Sequence, residues 1–189
     1  MIGPAFADPV QDSQRCFRRV LDAMSRPGRI HRLPALAEVP APLHSATAAV
    51  LLTLADADTP VWLDRAEPLD WLRFHCGCPV VAEAGAAQFV VATGQMPALA
   101  GLALGTEEEP HLAATLLVQV AGLRAGQGWR LTGPGIEHEH RLAVDGLPAD
   151  FLAQWAANRA RFPQGVDIVL CAGDSLACLP RTVAIEEAG

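Results

Sequence analysis

A chain of 189 residues with a formal net charge of −7, 51% hydrophobic residues and only 19% charged ones is long enough for one domain with a substantial core. It is too acidic for a nucleic-acid-binding surface spread over the whole protein. All fourteen basic residues are arginine, so lysine Schiff bases, a pyridoxal-phosphate anchor and a Walker A lysine are excluded.

No run of the sequence approaches the ~18 apolar residues of a membrane span. With a mean hydropathy of +0.23, the apolar surplus then predicts surface that a partner covers, hence an oligomer or a complex subunit. The stretch MIGPAFADPV has no basic region and no signal-peptide core, and five cysteines form an odd set without framework spacing. Both features predict a cytoplasmic protein with reduced thiols.

In chain order, Asp8-Pro9 opens a first helix, with Asp as cap and Pro in the first turn. Val10, Phe17, Val20, Leu21 and Met24 are expected to form its buried stripe, opposite Arg15, Arg18, Arg19 and Asp22. Arg18 and Asp22 have the i,i+4 spacing of a surface pair. Pro27-Gly28 stops the helix, and six of the fourteen arginines fall before residue 33. That density is either a solvated face or a dock for an acidic partner.

Leu43 to Ala55 reads as a helix buried on most sides, Val61 to Leu63 as a short buried strand, and Pro68 to Cys76 as a third helix. Strands are expected at Gln88 to Gly94, Ala114 to Leu123 and in GWRLTG, with an acidic loop, GLALGTEEEP, before the second of these. A strand follows the GPG turn and ends near Val144. Pro148 to Arg161 is a helix. Val166 to Gly173 is a strand, and Leu176 to Ile185 another, broken at Pro180. Interspersed helices and strands predict an α/β fold, a mixed sheet flanked by helices, with no linker dividing residues 1–189.

Several groups carry possible chemistry. His138 and His140 would share one face of a strand and could grip a metal ion, although no third ligand is evident from spacing. The alternative is a hairpin strand with two exposed histidines. Gly133 and Gly135 flank a proline in LTGPGI, either as a phosphate nest or, better suited to Pro/Gly chemistry, as a turn. Asp167 and the Arg181-Thr182 pair lie on late strands whose ends can meet, either as a phosphate or carboxylate site or as a structural Asp–Arg pair. HCGCP, residues 75–79, reads as a helix stop: Gly77 ends the helix, Pro79 blocks its continuation, and His75 sits favourably at the negative end of the helix dipole. No complete triad, nucleotide loop or metal box emerges.

Five phrases in register, PVQDSQRCFRRVLDAMSRPG, LLTLADADTPVWL, LRFHCGCP, LTGPGI and FPQGVDIVLCAG…LPRT, span Pro9 to Thr182. Together they resemble the H subunit of the bacterial carbon–phosphorus lyase system, the PhnH family. The resemblance implies phosphonate catabolism within a core complex with the G, I and J subunits. That complex forms ribose 1-phosphonate 5-triphosphate from ATP and a phosphonate. It also implies a fold similar to the large domain of pyridoxal-phosphate-dependent transferases without that cofactor, a homodimer when isolated, and a non-catalytic or co-catalytic role. His75, Gly133, Gly135, Asp167, Arg181 and Thr182 follow the family phrasing and are its candidate ligand-site residues. The family pattern does not require Cys76, Cys78, His138 or His140, which counts against a metal there.

Overall fold

The computed structural model describes residues 5–187. Asp8 caps the first helix, α1 (Pro9–Ser25), by accepting from the Val10 and Gln11 amides. A two-residue strand not anticipated from the sequence, β1 (His31–Arg32), follows. Then come α2 (Ser45–Leu54), β2 (Val61–Leu63), α3 (Leu69–Cys76), β3 (Phe89–Ala92) and β4 (Thr115–Gln119). A long strand, β5 (Gly122–Thr132), pairs with β6 (His140–Asp145). The chain ends with α4 (Phe151–Arg159), β7 (Asp167–Ala172), β8 (Ser175–Leu179) and β9 (Ala184–Glu186).

The expected α/β architecture, a mixed sheet flanked by helices, is present. The main sheet has the order β1-β8-β7-β4-β3-β2. Its β2, β3, β4 and β7 are parallel, and β8 and β1 add antiparallel at one edge. A second sheet, β6-β5-β9, is antiparallel. The main sheet is apolar on both sides because its strands alternate between two cores. Phe89, Val91, Leu117, Val169, Leu176 and Cys178 face α1, α2 and α3. Val90, Leu116, Ile168, Leu170, Ala177 and Leu179 face α4 and the small sheet.

α2 is buried at every position from Ala46 to Leu51, which is why its sequence shows no polar face. Its small alanines let α1 pack closely. The buried face of α1 consists of Asp12, Cys16, Val20 and Ala23. This corrects the expected stripe in part: Val20 is buried and Met24 packs against the core, but Val10, Phe17 and Leu21 are 64%, 49% and 57% exposed. At about 100° per residue, these three share one direction on the helix, and the buried residues lie well round from it. The large side chains misled because the neighbour, α2, accepts only small ones at this distance.

Gly77 ends α3 at φ +65°, as the Gly-x-Pro pattern requires. On the far face, Trp155 donates through Nε1 to the Val183 carbonyl at 2.9 Å. Asn158 is 3% exposed and satisfies both the Val166 amide, at 2.9 Å, and the Val166 carbonyl, at 3.0 Å. These bonds fasten α4 to the entry of β7 and to the turn before β9.

Candidate functional site

Ligands in open α/β sheets bind outside the carboxyl ends of the parallel strands. Asp167 opens β7 and therefore lies at the opposite, amino edge. Arg181 does reach it. The guanidinium donates to Asp167 Oδ1 at 3.2 Å and Oδ2 at 2.6 Å, and the Arg181 amide donates to Oδ1 at 2.7 Å. Nη1 donates to the carbonyls of Pro110, at 2.9 Å, and Pro163, at 3.2 Å. Four of the five guanidinium N–H groups are thus engaged within the chain.

The GPG turn lies beside this region. Gly133, at φ +135°, abuts the Thr182 carbonyl, and Gly135, at φ +82°, is pressed against the Ser25 carbonyl at the end of α1. A side chain at position 135 would overlap that oxygen. The glycines therefore let three chain segments meet closely. The tertiary fold gathers Gly133, Asp167, Arg181 and Thr182 into one neighbourhood, in which the Asp167 and Arg181 polar groups are turned on one another.

The remaining sequence candidates lie elsewhere. His75 is on α3, with its ring 4.7 Å from Trp71 and 5.0 Å from Phe74, and Nε2 is enclosed without a hydrogen-bond partner. Burial lowers its pKa below the ordinary histidine value. The neighbouring Cys76 thiol is pushed up to about 12, chiefly by burial and then by Cys78. His138 precedes β6, in a loop, with its side chain 87% exposed; only His140 is in the strand. The expected strand over both histidines, and with it the same-face geometry, is absent. Among the described residues no group of three or more His, Cys, Asp or Glu is placed to hold a metal ion.

Asp64, at the carboxyl edge, was not singled out from the sequence, whereas the arginines flagged before residue 33 gather in a cleft beside α1 and β1. Asp64, directly after β2, accepts from the Thr93 amide (2.9 and 3.0 Å), the Thr93 hydroxyl (2.8 Å) and the Gly94 amide (2.9 Å). The carboxylate locks the ends of two neighbouring parallel strands. The only sequence signal was an acid placed immediately after VWL. At the other side of the sheet, α1 and the β1 segment enclose a cleft of about 660 Å³, lined by Arg15, Arg18, Arg19, Arg26 and Arg32 together with Asp22.

The charges of this cleft are only partly compensated. Arg15 pairs with Asp12 at 3.1 Å, Arg26 with Asp22 at 2.6 Å and Arg32 with Asp174 at 2.7 Å. Asp22 is thus taken by Arg26, not by Arg18 as the i,i+4 spacing suggested. Arg18 and Arg19 have no carboxylate partner among the described residues. His31, nearly enclosed beneath, stands 3.0 Å from Asp22 Oδ2 without the alignment of a hydrogen bond. Its pKa is lowered, first by burial and further by Arg19, Arg29 and Arg26, against the opposing pull of Asp22. This cleft is an open, positively charged surface on a chain of formal net charge −7. It is a candidate for recognising negative charge.

Comparison with known proteins places these features in a family. The family model of the bacterial phosphonate metabolism protein PhnH matches residues 4–186. The alpha-D-ribose 1-methylphosphonate 5-triphosphate synthase subunit PhnH of Rhizobium meliloti (strain 1021) is 44% identical over 188 residues, covering 96% of this chain and 94% of the relative. The putative C-P lyase subunit protein HtxG of Stutzerimonas stutzeri is 38% identical over 181 residues, covering 93% and 87%. A match of this extent, running through both cores and both edges of the main sheet, makes the chain a member of the PhnH family of bacterial phosphonate metabolism proteins.

Proposed function

We propose that this chain is a subunit of a carbon–phosphorus lyase core complex in phosphonate catabolism. It would support formation of ribose 1-phosphonate 5-triphosphate from ATP and a phosphonate, and its own role would be structural or ligand-positioning. The observation that carries the reading is the 44% identity, over nearly the whole of both chains, to a subunit of alpha-D-ribose 1-methylphosphonate 5-triphosphate synthase.

The finer parts of the proposal have separate support. One domain over residues 1–189 accords with two cores that share a single sheet. A relation to the large domain of pyridoxal-phosphate-dependent transferases accords with a largely parallel sheet that carries one antiparallel strand, β8, next to its edge strand β1. Operation without pyridoxal phosphate accords with the absence of lysine. Assembly with the G, I and J subunits, homodimerisation of the isolated chain and a cytoplasmic location are further parts of the reading. Large apolar side chains exposed at Phe74, Leu112 and Phe162 as well as on α1 favour assembly. Gly133, Gly135, Asp167, Arg181 and Thr182 brace the amino edge of the sheet in this proposal, because Asp167 and Arg181 are matched to each other and the two glycines allow close approach of the neighbouring backbone.

The test is co-purification of the tagged chain from phosphonate-grown cells. Recovery of the other core subunits, together with loss of growth on phosphonate after deletion, is the expected result. A chain recovered alone, with growth unaffected by deletion, would overturn the proposal.

A further inference from the structure

We infer that the outward face of α1 docks an acidic, apolar-striped segment of another subunit of the complex. This rests on the subunit reading above and names the surface through which the subunit joins. Val10, Phe17 and Leu21 point one way at about 100° per residue, and all three are about half exposed or more. Half of the six exposed large hydrophobic residues identified among the described residues thus lie along one stripe of one helix. Phe17 and Leu21 are neighbours at i,i+4, and Val10 continues their line beyond the exposed Gln14; solvent-facing apolar residues grouped on one helix face mark an interaction surface, whereas single ones do not.

The charge beside the stripe fixes the chemistry of the partner. Arg18 stands next to it on the helix, with Arg15, Arg26 and Arg19 beyond, and Arg18 and Arg19 lack carboxylate partners among the described residues. The matching segment places apolar side chains over Phe17 and Leu21 and carboxylates over the arginines, which hold carboxylates by a planar fork. A nucleic acid satisfies the arginines but leaves the apolar row in water, so a protein segment fits better. A second copy of this chain fits poorly. Packing α1 on α1 about a two-fold axis either sets arginines against arginines, when the helices are antiparallel, or leaves them without facing carboxylates, when they are parallel. Docking the acidic loop Glu107–Glu109 of one copy on α1 of the next is head-to-tail and need not close. A small anion is also a poor match, because the guanidiniums are well exposed, Arg15 at 66%, Arg26 at 52% and Arg32 at 80% of the side chain.

The experiment compares the tagged wild-type chain with Arg18→Glu/Arg19→Glu and, separately, with Phe17→Ser/Leu21→Ser, each co-expressed with the other core subunits. All four side chains are surface groups, and thermal melts of the isolated variants verify that the fold is kept. Recovery of the other subunits is expected to fall by about tenfold or more in both variants. Added salt should weaken wild-type recovery, because the contact includes ion pairs. The sedimentation coefficient of the isolated chain should stay unchanged. Full recovery by both folded variants would reject the docking face while leaving the subunit reading intact. Failure of the wild type to recover any subunit would reject that reading itself, and the inference with it. A change in self-association of the variants would assign the face to a second copy. Binding of a labelled oligonucleotide at physiological salt, lost in Arg18→Glu/Arg19→Glu while subunit recovery persists, would assign it to nucleic acid. Either outcome overturns the inference.

Discussion

Arg181 closes on Asp167 at 2.6 Å across the amino edge of the main sheet, with side chains only 14% and 23% exposed. The pair joins the start of β7 to the turn between β8 and β9, and Nη1 adds the loop carbonyls of Pro110 and Pro163. Removing one partner strands a largely buried charge. Asp167→Ala or Arg181→Ala should therefore lower unfolding free energy by about 2–4 kcal/mol, read from the urea midpoint. Arg181→Lys should recover only part of this, because one ammonium cannot reproduce the fork. A ligand site instead of a brace would leave stability nearly unchanged in all three variants.

Gly135 offers a contrast with Gly126. Both have positive φ, +82° and +79°, but a Cβ at 135 meets the Ser25 carbonyl whereas one at 126 meets nothing within 4 Å. Gly126→Ala is expected to cost about 1 kcal/mol, the conformational share alone. Gly135→Ala should cost clearly more, because α1 or the GPG turn must move. Paired denaturation curves decide it; equal losses would show that the turn has room.

Stability should decline as the medium becomes mildly acidic. Burial holds the pKa of His31 and His75 below the ordinary value of 6.5. As pH falls through about 6.5 the unfolded chain therefore takes up protons that the folded chain refuses. The contribution of these two groups is fully present above that value and is lost below it, towards the lowered folded-state values. Urea midpoints measured from about pH 8 to about pH 5, above the carboxylate range, should show this slope. His31→Gln and His75→Gln should each flatten it.

The thiols should be inert in the folded protein. Cys16, Cys78, Cys171 and Cys178 are buried, and Cys76 and Cys171 are pushed up to about 12, with desolvation the leading cause in both. Alkylation needs the thiolate. Iodoacetamide at mildly alkaline pH should label the native chain slowly and all five cysteines at once after unfolding in guanidinium, as read by intact mass. Rapid native labelling at Cys76 would show that the end of α3 opens.

The local chemistry of the chain was legible without coordinates. Asp8-Pro9 starts a helix, Gly77 and Pro79 end one, Pro180 splits two strands, and alternating or continuous apolar runs mark strands, because each depends on a few neighbouring residues. The missing lysine excluded Schiff-base chemistry by arithmetic, and five phrases in register pointed to the PhnH family, as the match over residues 4–186 bears out. What lay beyond the sequence depended on packing partners distant along the chain. A two-residue strand such as β1 has no period of its own and exists because β8 offers an edge. Which stripe of α1 is buried was decided by the alanines of α2, leaving Phe17 and Leu21 outside. Whether Arg181 is free or spent was decided by carbonyls 71 and 18 residues away. Periodicity says that a face exists. Only the tertiary structure says which face is covered, because complementarity is a property of two surfaces together.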